Sequence, residues 1–570
     1  MNQSKENLIH NNLSNELFTL LEKRFPHQSS SSHIKDIVFA LIGSLSRGDI
    51  YLDIGPNSKP PDEISSVGWP SKHNKELLDS GWLTKTDSPI IKKDNLLSFR
   101  RWHFEMETVT NALIDMTSHT DIHTPASNEI SNHNYQFELN EDQLLAINLI
   151  EYKNLILIRG GPGTGKTSTI AKMMLKSFLL KPNIRIGLAA PTGKAARRLD
   201  ESLKTSFGEL GENEKKVLFK LPCLTIHKWL EANESGFKKN RSNPLQVDIF
   251  VVDEMSMVDL NLMMGLLEAL PRNCKLVLVG DSNQLPPVGS GAIWHYLHNE
   301  NTYMKFKKNS VCLSKIYRNR GDIASLAKLL TNKGIDAFYK KINKLSLNSN
   351  VNLIISNKKD MPEFIIASIK SNYNKIKEVS LRISKLTNKK YSLNNTDKTI
   401  NELSILAFDF LEELMVLCPR NYGNWSVDHV NRVILASITD KDSYGLAEGV
   451  PIICQENQSD LGLANGDMGI TIGKGKSQHL LFRVITKEGE QLGQLMHPSR
   501  IKAYKPAFAT TIHKAQGSEA TNVILLWPNK LKDKNLKEKT HDEYEQKLLY
   551  TAITRAREKL KLFISEDIND

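Results

Sequence analysis

The sequence predicts an α/β protein: two parallel-sheet lobes, a small β-rich insertion and a helical N-terminal domain. Three observations carry this expectation. LILIRGGPGTGKT (155–167) runs from an apolar strand through a glycine loop into a helix with Ile170, Met174 and Phe178 at helical spacing. IFVVDEMSMVD (249–259) and KLVLVGDSNQLPPVGSG (275–291) repeat the theme of a buried strand ending in polar residues. A strand–loop–helix unit then restarts at 413–431, and a helix followed by a strand closes the chain at 547–564.

The expected boundaries follow. Residues 1–125 form a helical domain suited to protein contact, with helices at 34–45 and 96–116. Residues 126–335 form the first lobe, with a hairpin or loop insertion near 205–245. Residues 336–570 form the second lobe, with a β-barrel insertion at 435–500, where apolar and polar residues alternate around the turn signal Asn465-Gly466-Asp467. The polar stretch 117–136 reads as a linker, and 331–400 as broken helical patterns without chemistry.

The glycine loop is a phosphate cradle. Gly160, Gly161, Pro162, Gly163, Thr164 and Gly165 lead into Lys166 and Thr167. Glycines let the backbone curl so that successive N–H groups converge on a phosphate, and the helix N-terminus adds partial positive charge. Lys166 is placed to reach the β- and γ-phosphates, and the Thr167 hydroxyl to ligate Mg2+. Asp253-Glu254 closes the second strand as a Walker B pair, with Asp253 on the metal and Glu254 as general base toward water. Gln284 ends the third strand, where it can sense a γ-phosphate. Arg318 and Arg320 follow, and an arginine entering a phosphate site stabilises transition-state charge.

Other candidates depend on this core. Gln143, on a helix beginning in 139–146, has a two-faced amide suited to an adenine edge. Thr192, Gly193 and Lys194 follow a strand at its carboxyl end, where α/β sheets bind ligands. Thr225 and His227 flank an apolar stretch. Thr511, His513 and Lys514 read as lying on a helix before a buried strand. Arg555, on the closing helix, reaches the same ATP only across an interface between lobes.

Composition bounds the remaining possibilities. The chain has 570 residues, a formal charge of +11 and 40% hydrophobic residues, which suits a large core and a polyanionic partner. Five scattered cysteines without C-x-x-C pairing argue against a disulfide framework, a zinc site or an iron–sulfur cluster. The polar start lacks a signal-peptide core, and no apolar run is long enough to span a bilayer. The expectation is a cytoplasmic protein.

The ordered motifs between 139 and 564 resemble those of superfamily 1 DNA helicases. They comprise Gln143, GGPGTGKT (160–167), APTGKAA (190–196), TIH (225–227), DEMSMVD (253–259), GDSNQLPPV (280–288), Arg318, ATTIHKAQGSE (509–519) and YTAITRA (550–556). The forms GDSNQLPPV and TIHKAQGSE resemble the 5′→3′ branch, and within it the RecD family, α subunits of the RecBCD helicase–nuclease. SFRRWHFE (98–105) resembles the end of that family's partner-binding domain.

The resemblance implies an ATP- and Mg2+-dependent motor with two RecA-like lobes and an SH3-like barrel at 435–500. Gln143 would contact adenine, and Gln284, Arg318 and Arg555 would sense the γ-phosphate. Thr192, His227, Thr511 and His513 would line the groove for single-stranded DNA. RecB-like and RecC-like subunits would complete a heterotrimer, and the nuclease site would lie outside this chain. Two alternatives stand beside this: a free-standing helicase of the same branch, and a non-catalytic ATP-binding subunit. Residues 1–125 lack the helix-hairpin-helix repeats common in free-standing relatives, and every catalytic motif residue is intact.

Overall fold

The computed structural model describes residues 14–26, 32–61, 63–84, 87–118, 139–207, 215, 218–317, 321–345, 349–356, 361–389, 398–438, 446–485, 491–528 and 540–565. Nearly all of the expected linker, together with Arg318 and Arg320, lies outside them. The chain divides into two compact units. The first comprises 1–191, 199–315 and 534–544, and the second 192–198, 316–533 and 545–570.

The first unit is built on a six-stranded sheet. In spatial order its strands are Ser310–Leu313, Leu155–Gly160, Lys275–Gly280, Ile249–Val252, Ile186–Ala190 and Cys223–Thr225. Every pairing is parallel. Parallel sheets are buried on both faces, so their strands are apolar throughout, and successive side chains alternate between the faces. Leu155, Leu157, Phe250, Val252, Leu276 and Leu278 enter one core. Their neighbours Ile156, Ile158, Val251, Val277 and Val279 enter the other. Helices Glu141–Tyr152, Lys166–Leu180 and Gly193–Phe207 contribute Ile147, Met173 and Leu203 to the second core.

The N-terminal segment departs from an all-helical reading. It contains a three-stranded antiparallel sheet of Leu52–Asp53, Leu96–Phe99 and Ile90–Lys93, beside the expected helix Ser32–Ser46. The helix expected from 96 begins only at Arg100, because Leu96–Phe99 pairs with Ile90–Lys93 across the Asp94-Asn95 turn, with Asp94 at φ +54°. That helix, Arg100–Ser118, sends Met106, Val109 and Leu113 into the same core as Leu155 and Phe250. It therefore covers one face of the first lobe's sheet, together with helix Leu260–Ala269.

The second unit carries a five-stranded parallel sheet ordered Val351–Ser356, Ala556–Ser565, Ala520–Pro528, Leu414–Cys418 and Ala509–Thr511. The region read as broken helical patterns holds the continuous helix Glu363–Lys389, after a helix Asp322–Ile342 kinked at Gly334. The insertion is β-structure, as expected. Strands Gln491–Met496, His479–Ile485, Met468–Ile472, Pro451–Cys454 and Tyr504–Pro506 form an antiparallel sheet in that order. Among the described residues its two outer strands do not pair with each other, so of the expected barrel the structure describes a five-stranded antiparallel sheet. Among the described residues, no helix is long and apolar enough to cross a membrane.

Leu113 tests the assignment of helix Arg100–Ser118 to the lobe. It is fully buried, so Leu113→Ala should destabilise the first unit by about 2–5 kcal/mol. Urea unfolding monitored on that unit reads this loss. An unchanged midpoint would show that the helix docks without bearing on the core.

Candidate functional site

Register assembles the site. Gly280 pairs with Arg159, Leu278 with Val252, and Ala189 with Val252. All strands run the same way, so the P-loop, Asp253-Glu254 and the Asp281–Gln284 turn leave the sheet along one edge. Ligands bind at such carboxyl ends in open α/β sheets.

The P-loop has the conformation its glycines permit. Gly163 and Gly165 have φ of +74° and +83°. A Cβ on Gly160 would stand 2.5 Å from Thr164 Oγ1, too close for any larger residue. Thr164 Oγ1 donates to the Gly161 carbonyl at 2.8 Å. Lys166 Nζ donates to the carbonyls of Gly160 at 2.8 Å and Gly161 at 3.0 Å, which holds the ammonium over the loop. Gly165 occupies the N-cap of helix Lys166–Leu180 and offers no capping side chain. Helix Leu260–Ala269, by contrast, is capped by Asp259. The first-turn N–H groups of the P-loop helix are thus left for an anion.

Asp253 is buried, and its Oδ1 accepts from the Glu254 N–H at 2.8 Å. Glu254 sits in the left-handed region, at φ 55° and ψ 43°. A non-glycine residue held there stores strain of about 1–2 kcal/mol. Its Oε2 is buried without a hydrogen-bond partner. Burying a polar atom this way costs about 1–3 kcal/mol, so the geometry is kept for something other than stability.

Gln284 has a matching feature. It is almost wholly buried, and its Nε2 donates to Asp281 Oδ2 at 3.3 Å. An ionised carboxylate has no proton to give, so the amide nitrogen must face Asp281 and Oε1 must face away. Gln284 Oε1 is likewise buried and unpartnered. Glu254 and Gln284 therefore each offer an unused acceptor. Glycine at 280 leaves room for the Trp294 ring and Met255, since a Cβ there would stand 2.9 Å from Trp294 Cε2 and 3.1 Å from Met255 Cβ. An unpartnered acceptor suits a proton of water better than it suits a phosphate oxygen. Sequence reading missed Asp281; the signal was an acidic residue three positions before the glutamine.

The glycine cradle and the uncapped helix fit a nucleotide triphosphate, with Thr167 and Asp253 able to hold its Mg2+. Gln143 has a local role too. Its backbone N–H donates to Asn140 Oδ1 at 2.8 Å and its Oε1 accepts from the Asn140 N–H at 3.2 Å, a capping box that starts helix Glu141–Tyr152.

The nucleic-acid candidates divide between the units. His227, in the first, is exposed and meets the Phe237 ring edge-on at 6.4 Å, where strands Ala232–Asn233 and Gly236–Phe237 form a small hairpin inside the expected 205–245 insertion. Thr192, in the second, accepts from the Ala195 N–H through Oγ1 at 3.2 Å. In the same cluster Arg197 pairs with Asp467 and Arg198 with Glu519. Burial lowers Lys194 to about 8, against the pull of Glu412.

Thr511 and His513 do not lie on a helix. Thr511 ends a strand, and residues 512–517 form a turn that closes at Gly517, φ +71°. The Ile512 N–H still donates to the Cys418 carbonyl in sheet pairing, and the Ala515 N–H closes a single turn onto the Thr511 carbonyl at 3.1 Å before the chain reverses at Gly517. Burial pushes the His513 imidazole below its usual pKa, so it acts as a neutral hydrogen-bonding group at pH 7.

Arg555 also differs from expectation. The helix ends at Ile553, and Arg555 lies in the turn before strand Ala556–Ser565. Its guanidinium donates to the carbonyls of Thr551 at 2.9 Å and Ser518 at 3.2 Å.

Residues 143–290 match the AAA domain family, and 506–563 match the UvrD-like helicase C-terminal domain. The chain is 29% identical to the RecBCD enzyme subunit RecD of Buchnera aphidicola subsp. Schizaphis graminum over 511 residues, covering 84% of this chain and 81% of that one. It is 29% identical to RecD of Haemophilus influenzae over 72% of this chain and 67% of that one. The ATP-dependent RecD2 DNA helicase of Deinococcus radiodurans is 36% identical over 27% of this chain and 19% of its own length. A crystal structure of Bacteroides Pif1 bound to ssDNA gives a TM-score of 0.41 at 15% identity, over 76% of this chain and 93% of that one.

The strain at Glu254 is measurable. Both Glu254→Gly and Glu254→Ala remove the carboxylate, but only glycine relaxes in the left-handed region. The glycine variant should be the more stable by about 1 kcal/mol. Equal urea midpoints for the two would show that Glu254 is unstrained.

Proposed function

We infer that this RecD-like chain is an ATP-dependent DNA helicase, moving 5′→3′ on single-stranded DNA as the α subunit of a RecBCD-type helicase–nuclease. RecB-like and RecC-like chains are its partners, the cytoplasm its compartment, and repair and recombination at double-strand breaks its setting. The observation that supports catalysis most directly is Glu254, a strained and buried carboxylate with an unpartnered oxygen at the P-loop edge. A subunit that bound ATP only for structure would have no use for that geometry.

In this reading the P-loop N–H groups and Lys166 hold the phosphates, and Gln143 meets the adenine. Thr167 and Asp253 would hold Mg2+, which would supply charge neutralisation to the phosphates. Glu254 takes a proton from the attacking water while Gln284 accepts its other hydrogen bond. Arg318 and Arg555 meet the charge that develops on the γ-phosphoryl group. Arg555 would exchange at least one of its carbonyl partners to do so, which makes its engagement a conformational step. Thr192, His227, Thr511 and His513 line the DNA path. Neutral His513 makes grip depend on hydrogen bonding and phosphate contacts elsewhere, so binding is nearly sequence-blind and falls with salt.

Lys166→Gln should lower DNA-stimulated ATP turnover by about a hundredfold or more, with the melting temperature unchanged. Steady-state ATPase assays with and without single-stranded DNA check this, and normal turnover in the variant sinks the assignment. Strand displacement on tailed duplexes addresses polarity. Unwinding from 5′ tails is expected, and unwinding from 3′ tails alone would place the chain in the opposite branch. Co-purification with two larger chains separates the subunit from a free-standing helicase.

A further inference from the structure

The N-terminal segment reaches the loop that carries Gln284. At the Arg47–Asp49 turn, the Gly48 carbonyl accepts from the Gly291 N–H at 3.2 Å and the Ala292 N–H at 3.0 Å. Gly48 is left-handed, φ +86°, and a Cβ on it would stand 3.1 Å from Pro286 Cβ and 3.3 Å from the Pro287 carbonyl. Three residues on, Tyr51 stacks on Tyr296 with ring centroids 5.8 Å apart and planes at 29°.

The rest of the loop is equally constrained. The Leu260 N–H donates to the Ser290 carbonyl at 3.3 Å. His295 Nε2 lies 3.0 Å from the Gln284 carbonyl. The segment from 284 to 296 is therefore pinned at both ends, with two prolines stiffening the span between. Pro286, which Gly48 touches, lies two residues from Gln284, so a displacement at Gly48 meets the stiff Pro286-Pro287 pair before it reaches the glutamine. These contacts contribute nothing to holding phosphates, which is the work of the P-loop on a different strand.

We propose that the Arg47–Asp49 turn is a positioning element for Gln284, through which the N-terminal segment sets the rate of ATP hydrolysis without touching nucleotide. The proposal rests on the ATPase reading above. It assigns the turn an effect on kcat and none on ATP affinity. It also gives any protein that engages the N-terminal segment a mechanical route to the hydrolytic site.

Gly48→Ala and Gly48→Val test it, with Gly81→Ala and Gly81→Val as controls. Gly81 has φ +73°, yet the nearest atom to its Cβ would be Thr84 Oγ1 at 3.9 Å. Both positions suffer the same backbone penalty, but only at Gly48 does the new side chain press on Pro286. Tyr51→Ala removes the adjoining stack with no backbone strain, and covers the case in which the Gly48 variants fold poorly. In the full chain, Gly48→Ala should lower kcat about tenfold, Gly48→Val further, and Tyr51→Ala in the same direction. KM for ATP and the affinity for a fluorescent ADP analogue should stay unchanged, and the Gly81 variants should keep parental kcat. Turnover in the parent with Gly48 and Gly81 variants alike, and Tyr51→Ala at parental rate, overturns the positioning role. A parental chain with no ATPase overturns the catalytic reading instead.

Discussion

Everything at the candidate site depends on the parallel pairing of strand Leu155–Gly160 with Lys275–Gly280 on one side and Ser310–Leu313 on the other. Parallel strands end on the same edge, so hydrogen-bond register alone brings the glycine loop, the acidic pair and the glutamine turn together from segments far apart in sequence. Register in turn is held by side-chain alternation. A slip of one residue would exchange Leu155 and Leu157 with Ile156 and Ile158 between two cores of different partners.

The same alternation explains the place of the N-terminal segment. A parallel sheet needs cover on both faces. One face is covered by helices Glu141–Tyr152, Lys166–Leu180 and Gly193–Phe207, and the other in part by Arg100–Ser118 from upstream. A region read as a separate domain is thus structurally continuous with the lobe that holds the P-loop. The N-terminal segment and the Gln284 loop belong to one compact unit, and the Gly48 carbonyl joins them through the Gly291 and Ala292 N–H groups.

The strain and orphaned acceptors lie where chemistry is expected. Glu254 and Gln284 leave polar atoms buried without partners, while Asp281 accepts from the Asn283 N–H and the Gln284 amide and Asp253 accepts from the Glu254 N–H. The protein holds two acceptors ready and orients each through a neighbour: Glu254 by its left-handed backbone, Gln284 by Asp281. Such pre-organisation lowers the reorganisation required when water and phosphate arrive.

Much of this was legible in one dimension. Strand–loop–helix units, the glycine loop, the acidic strand end and the β-rich insertion are local patterns, set by apolar periodicity and by the backbone demands of glycine. Short segments fared worse. Thr511–Gln516 has a helical composition, yet it turns because pairing with Cys418 and the left-handed Gly517 outweigh propensity. Leu96–Phe99 continues the apolar pattern of the helix after it, yet it is a strand because Ile90–Lys93 pairs with it. The sequence by itself determined which residues are candidates for the chemistry, because phosphate binding and water activation demand particular side chains at particular local spacings. Only the tertiary structure decided which way the Gln284 amide faces, that Asp281 holds it, and that Gly48 braces its loop. Those depend on contacts between residues distant in the chain, and no local pattern records them.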